Sequence, residues 1–202
     1  MLTKLDELNL PDHWYLTADD ECYFIGEYTA GRGFAHSATN QLILNLKKSV
    51  DRCGLPEWRH KEMAIRRAAV ELRNSLNPQF LTSATFVPIP PSRVVEDPLY
   101  DDRMSQVVRL LDGGVDGRVL VLQLASMRDA HSAANRPGPG NLYSNYRIDN
   151  TLVDPRPSQV AIVDDVLTTG AHFQAMKRIL LETYPDIPVV GLFLARRVPN
   201  TE

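Results

Sequence analysis

Cysteine is scarce in this 202-residue chain: Cys22 and Cys53 stand alone, without paired spacing. They cannot build a disulfide framework or a cysteine-rich zinc site, so a reducing compartment is expected and the protein is read as cytoplasmic. Long apolar runs are missing too. None approaches the roughly 20 residues a helix needs to cross a bilayer, and Met1 to Glu7 lacks the apolar stretch of a secretory signal. No membrane partner is expected. Nor does one sign of charge dominate: a formal net charge of −3 gives no support to a nucleic-acid grip built on counterion release, although a local basic groove is compatible with it. Several enzyme signatures are absent. There is no Gly-Lys-Thr or Gly-Lys-Ser of a P-loop, no Asp-X-Asp pair of acids separated by one residue as in haloacid-dehalogenase-like phosphatases, and no Gly-X-Ser-X-Gly for acyl transfer.

What is present is an alternation. From Ala84 onward, short β-branched runs (84–89, 118–124, 159–163 and 187–194) are separated by longer amphipathic or polar stretches. This predicts an α/β fold whose strands are parallel and covered on both faces. Met104, Val107, Val108, Leu110 and Leu111 predict a helix over about 101–112. Phe173, Met176, Ile179 and Leu180 predict another, from about Thr169 to before Pro185. Residues 126–157, rich in Arg, Asn, Ser, Gly and Pro, read as a long loop, with 151–158 as a connector into the third run. Upstream, a strand is expected at 23–28 and helices at 37–49 and 61–76. Met63, Ile65, Ala68, Ala69 and Leu72 would form the buried stripe of the second helix, and Trp14 and Trp58 would sit in an N-terminal hood core. His36, His60 and His172 are too scattered to suggest a metal site, and Gly31-Arg32-Gly33 does not complete a dinucleotide fingerprint.

The chemistry concentrates in Val160-Ala161-Ile162-Val163-Asp164-Asp165-Val166-Leu167-Thr168-Thr169-Gly170. A buried strand delivers two carboxylates to the crevice outside the strand ends, where open α/β sheets bind ligands. Thr168, Thr169 and Gly170 then open a helix, whose N-terminus favours an anion. Helix capping would account for an acid here, but not for two acids, two threonines and a glycine in this order. Carboxylates beside a phosphate cradle repel a bare phosphate, so the ligand must bring hydroxyl donors or a cation. A sugar phosphate with a free diol, accompanied by Mg²⁺, meets both demands. Placed at the strand mouth, both acids are expected to be replaceable by asparagine without loss of the fold.

This segment resembles, along its whole length, the 5-phosphoribosyl-1-pyrophosphate (PRPP) motif of the type I phosphoribosyltransferases. More weakly, most of the chain is similar to their ComF-like branch. Tyr28 and the stretch 40–48 resemble that branch's early helix, Val87 to Ser92 its Val-Pro-Val-Pro segment, and Arg103 to Gln106 its entry into a helix. Arg128 to Ser132 and Tyr143 to Arg147 fall where it carries an arginine-bearing catalytic loop. The cysteine pairs that many ComF-like proteins use for zinc are missing, and Arg136 to Gly140 departs from the family loop.

The resemblance implies a mainly parallel sheet flanked by helices, with residues 1–80 as an N-terminal hood and 81–202 as the core. It implies that Asp164 and Asp165 bind the ribose 2′- and 3′-hydroxyls while Val166, Leu167, Thr168, Thr169 and Gly170 wrap the 5-phosphate. Pro90, Pro91, Ser92 and Arg93, with Arg103, would hold pyrophosphate. Asp164, Asp165, Arg128 and His131 would be the catalytic set, and Arg147 is a further candidate cation. Mg²⁺ would arrive with PRPP, with Asp164 and Asp165 as its only candidate protein ligands. The activity implied is transfer of phosphoribose to a nitrogen nucleophile with release of pyrophosphate. The alternative is a non-catalytic sensor of PRPP or a nucleotide, linked to DNA uptake as in ComF-like proteins. Sites shared between subunits are common in such relatives and would place an exposed apolar patch on the first helices, so a homodimer is a further expectation, with no surface assigned to it.

Overall fold

The computed structural model describes residues 1–127 and 137–199. Its centre is a six-stranded sheet in the order β1-β2-β8-β7-β3-β4. The strands are β1 (Thr3–Lys4), β2 (Cys22–Thr29), β3 (Thr85–Pro88), β4 (Asp116–Gly117), β7 (Val160–Leu167) and β8 (Val189–Val198). All neighbouring pairs are parallel except β1 with β2. A separate antiparallel ribbon joins β5 (Val121–Gln123) to β6 (Tyr146–Ile148). The helices are α1 (Ala38–Leu46), α2 (Trp58–Ser75), α3 (Pro78–Ser83), α4 (Arg103–Arg109), α5 (Pro139–Ser144) and α6 (Ala171–Thr183). None of these is long and apolar enough to cross a membrane.

Alternation along β7 sorts the core into two layers. Val160 and Ile162 pack with Phe173, Met176 and Leu180 of α6, whereas Ala161 and Val163 pack with Ile43 of α1, Leu72 of α2 and Val107 of α4. Side chains of a strand point to opposite faces at successive residues, so a run apolar at every position needs helices on both sides. The sequence run is explained by that double cover.

Several expectations change. The second apolar run does not lengthen the parallel sheet. Only Asp116 and Gly117 pair with β3, after which the chain leaves and Val121 to Gln123 pairs antiparallel with β6. Leu120 and Val121 are nevertheless fully buried, in the layer that holds α6, so the run is apolar for packing and not for the main sheet. Part of the expected loop is ordered as α5 and β6. Residues 1–80, expected as a cover, supply β1 and β2 of the sheet itself together with α1 and α2. Asn40 ties these elements: its Oδ1 accepts from Thr29 N (3.1 Å) and its Nδ2 donates to Thr29 O (2.9 Å). Met63 is not in the α2 stripe but 63% exposed, and Trp14 is 59% exposed instead of lying in a hood core.

Gly170 caps α6 in the left-handed region (φ +86°), and a Cβ there would lie 2.6 Å from the Leu16 side chain. Gly170→Ala should therefore cost about 2 kcal/mol from backbone strain alone. A fall of about 4–8 °C in melting temperature is expected, partly recovered by Leu16→Ala. An unchanged midpoint would show that the turn relaxes freely.

Candidate functional site

Because β3 and β7 are parallel, their carboxyl ends open on the same edge. A cavity of about 230 Å³ lies there, lined by Pro90 to Arg93 after β3, Asp101 to Ser105 around the start of α4, Asp164, Asp165, Val166 and Thr168 of β7 and its turn, Lys47, and His172. Most residues named from sequence thus share one space. Leu167, Thr169 and Gly170 do not line it. Leu167 is core, and Thr169 is buried with its Oγ1 accepting from Ala171 N (3.3 Å). Arg147 lines a smaller neighbouring cavity with Gln123 and Tyr100. Arg128 and His131 lie outside the described residues.

The acids do not occupy the strand mouth. They are inside β7, and Asp165 is only 3% exposed. Its Oδ2 accepts from Arg103 Nε (2.9 Å) and Nη2 (2.7 Å), and its Oδ1 lies 3.2 Å from Lys47 Nζ. Arg103 Nη1 also donates to Asp101 Oδ2 (2.8 Å), which accepts from Lys61 Nζ (2.7 Å). Lys61 itself is 2% exposed and spends its other donors on Leu46 O (2.7 Å) and Lys48 O (2.8 Å), at the end of α1. Charge alternates along this chain of five groups. A buried ion is tolerated only when its donors and acceptors are met, and here a buried ammonium anchors the two elements that bring Lys47 and Arg103 to the cavity.

The two adjacent acids are driven apart. Lys47 and Arg103 hold the Asp165 carboxyl well below the usual carboxylate range against the cost of its burial. Burial, reinforced by the Asp165 charge, pushes Asp164 up to about 7. Like charges this close do not both ionise freely. Asp164 Oδ1 accepts from Asp165 N (2.8 Å). His172 Nδ1 lies 2.8 Å from Tyr146 Oη, and burial lowers the imidazole to about 4.

The loop after β3 is tethered at its far end. Arg93 Nη1 lies 3.5 Å from Asp97 Oδ2, Ser126 Oγ donates to Asp97 Oδ2 (2.8 Å), and Met127 N donates to Ser92 O (2.7 Å). On the opposite side, residues 13–16 strap the turn. Tyr15 N donates to Thr169 O (3.0 Å), His13 Nδ1 bonds Thr168 O, and Leu16 packs on Gly170.

Mg²⁺ finds no ready protein cage. Both Asp165 oxygens are engaged by cations, one Asp164 oxygen by a backbone amide, and among the described residues no group of three His, Cys, Asp or Glu side chains converges. These residues do not by themselves fit a bound divalent ion.

Lys47, Asp101 and Lys61 have no place among the site residues named from sequence, and His172 figures there only as one of three scattered histidines. Lys47 falls within the stretch already compared with an early helix, yet only tertiary contact joins it to Asp165. Comparison of the chain with protein-family models and with curated proteins returned no match.

Proposed function

We propose that this chain has a type I phosphoribosyltransferase fold of the ComF-like kind, binds PRPP, and transfers its phosphoribosyl group to a nitrogen nucleophile. The observation that carries the reading is the convergence of Asp164, Asp165 and Thr168 with Pro90 to Arg93 and Arg103 around one cavity. Acids able to accept from a diol stand beside cations suited to a polyphosphate, and a hydroxyl-bearing turn follows at the start of α6.

In the reaction, the bond between ribose C1 and the pyrophosphate oxygen breaks as the nitrogen attacks C1. The nitrogen proton passes to solvent, and charge grows on pyrophosphate. Arg93 and Arg103 stabilise that growing charge, and fixed cations do so best where water is excluded. Asp164, ionised in part at neutral pH, accepts from a ribose hydroxyl. Mg²⁺ enters with the polyphosphate, and no step is assigned to it.

A sensor reading rests on a specific contact. Arg103 and Lys47 already neutralise Asp165, so a diol must displace cations before Asp165 can accept from it. Such an exchange suits a binding switch as well as a catalyst.

A thermal-shift titration with PRPP and Mg²⁺, run beside pyrophosphate release over a panel of bases and small amines, separates these readings. At 100 times the dissociation constant, ligand adds about 2.7 kcal/mol, or about 5–10 °C in a chain of this size. Stabilisation with release supports the transferase, and stabilisation alone supports the sensor. No shift removes both.

A further inference from the structure

We infer that His172 is a ligand-contacting residue, presenting a neutral Nε2–H donor to a phosphate-monoester oxygen, with its tautomer set by Tyr146. This rests on the phosphoribosyl reading of the cavity and adds a residue that neither the motif nor the spacing singles out.

His172 lines the cavity with Asp164, Asp165 and Thr168, at the second position of α6. Its Nδ1 is occupied by Tyr146 Oη at 2.8 Å, which leaves Nε2 as the ring nitrogen available to the cavity. Tyr146 comes from β6, in the ribbon that leaves the main sheet, and is 5% exposed. Among the described residues its hydroxyl has no other hydrogen-bond partner. Were Nδ1–H to donate to Oη, the phenolic proton would be buried with no acceptor among the described residues, and a buried unsatisfied donor costs about 1–3 kcal/mol. With Oη donating to Nδ1, that cost vanishes and the imidazole proton must sit on Nε2.

Burial keeps the ring in this form. It disfavours the imidazolium more strongly than the Asp165 charge favours it, and Lys47 opposes it to a smaller extent. A neutral donor suits this position. It offers a hydrogen bond to an oxyanion without adding a cation that would compete with Arg103 and Lys47 for Asp165. It also explains why a polar ring is spent at the start of α6, where an apolar residue would pack against the same ribbon.

The test has a ligand-free arm and a ligand arm. In ¹⁵N-labelled protein at pH 7, with His172 assigned by its disappearance in His172→Gln, the ring nitrogens should report the Nε2–H tautomer. Tyr146→Phe should shift them towards a mixture. A Nδ1–H tautomer in the wild type, or no change in Tyr146→Phe, would overturn the inference whatever the ligand does.

In the ligand arm, ribose 5-phosphate is titrated by calorimetry. His172→Phe is expected to weaken binding at least 10-fold, while His172→Gln, whose amide can still donate, stays within about threefold. Equal affinity for wild type and His172→Phe would sink the contact and leave the phosphoribosyl reading standing. Absence of binding to the wild type, by both ribose 5-phosphate and PRPP, would remove that reading and this inference with it.

Discussion

Asp165→Asn should both unfold the protein at lower temperature and abolish PRPP binding. The carboxylate is the common acceptor for Arg103 and Lys47, and its side chain is almost wholly enclosed. Removing one partner of a buried ion pair leaves the other uncompensated, at a cost of about 3–5 kcal/mol. Arg103 keeps Asp101 as a second acceptor, so the lower end of that range applies. For a domain of this size the melting temperature should fall by about 6–12 °C. The pH dependence has a definite sign. Because its cations depress the folded-state pKa of Asp165, it contributes stability that is present above the unfolded-state value and is lost as pH falls through the folded one. The variant should lack that acid-side loss. Arg103→Met in the Asp165→Asn background should recover part of the stability, because the two changes share one contact. Additive losses would show that the pair is not coupled. A melting temperature equal to wild type would refute the structural role, and wild-type PRPP affinity at a temperature where the variant is folded would refute the binding role.

Asp164→Asn should separate the two properties in the opposite direction. Burial and the neighbouring charge raise its folded pKa to about 7, above its unfolded value. The folded state therefore binds the extra proton more tightly, and stability falls as pH rises from the unfolded value through about 7. Asparagine removes the titration but keeps an oxygen able to accept from Asp165 N. The variant should be more stable than wild type at pH 8, by up to about 4 kcal/mol, and not more stable at pH 4. A hydrogen bond between a charged group and a ribose hydroxyl contributes about 1.5–3 kcal/mol, so PRPP affinity should drop roughly 10- to 100-fold. Melting curves at the two pH values, with calorimetric titration of PRPP at pH 8, check both halves. A stability gain without loss of affinity would mean that Asp164 is strained for some purpose other than this ligand. Stability lost to a similar extent at both pH values would contradict its raised pKa. Such a group, costly to the fold and useful to the site, follows the general pattern by which functional sites sacrifice stability.

The runs around Thr85, Val160 and Val189 were legible as doubly covered strands because burial on both faces leaves a local signature of uninterrupted apolar residues. Phe173, Met176, Ile179 and Leu180 likewise gave away α6 by their spacing. The run at Val119 misled for the same reason. Periodicity reports that Leu120 and Val121 are buried but carries no information on which strand they pair with, and here the partner is β6. Met63 misled differently: it falls among the apolar residues of α2 but stays largely exposed.

The candidate site divides along the same line. Local order along the chain was enough to place Asp164, Asp165 and Thr168 together, since a strand, a turn and a helix opening are consecutive in sequence and their geometry is short-range. Sequence by itself also determined the alternation of apolar runs and helices that makes the sheet parallel, and hence the edge on which the turn opens. Only the tertiary structure decided the state of those acids. Lys47 just past α1 and Arg103 of α4 reach Asp165, and His172 of α6 shares their cavity, so one carboxyl is held ionised, its neighbour is pushed towards neutrality, and the ring is kept uncharged. Charge state depends on distance and burial in three dimensions, and residues brought together by folding from far apart in the chain leave no pattern in sequence from which either can be read.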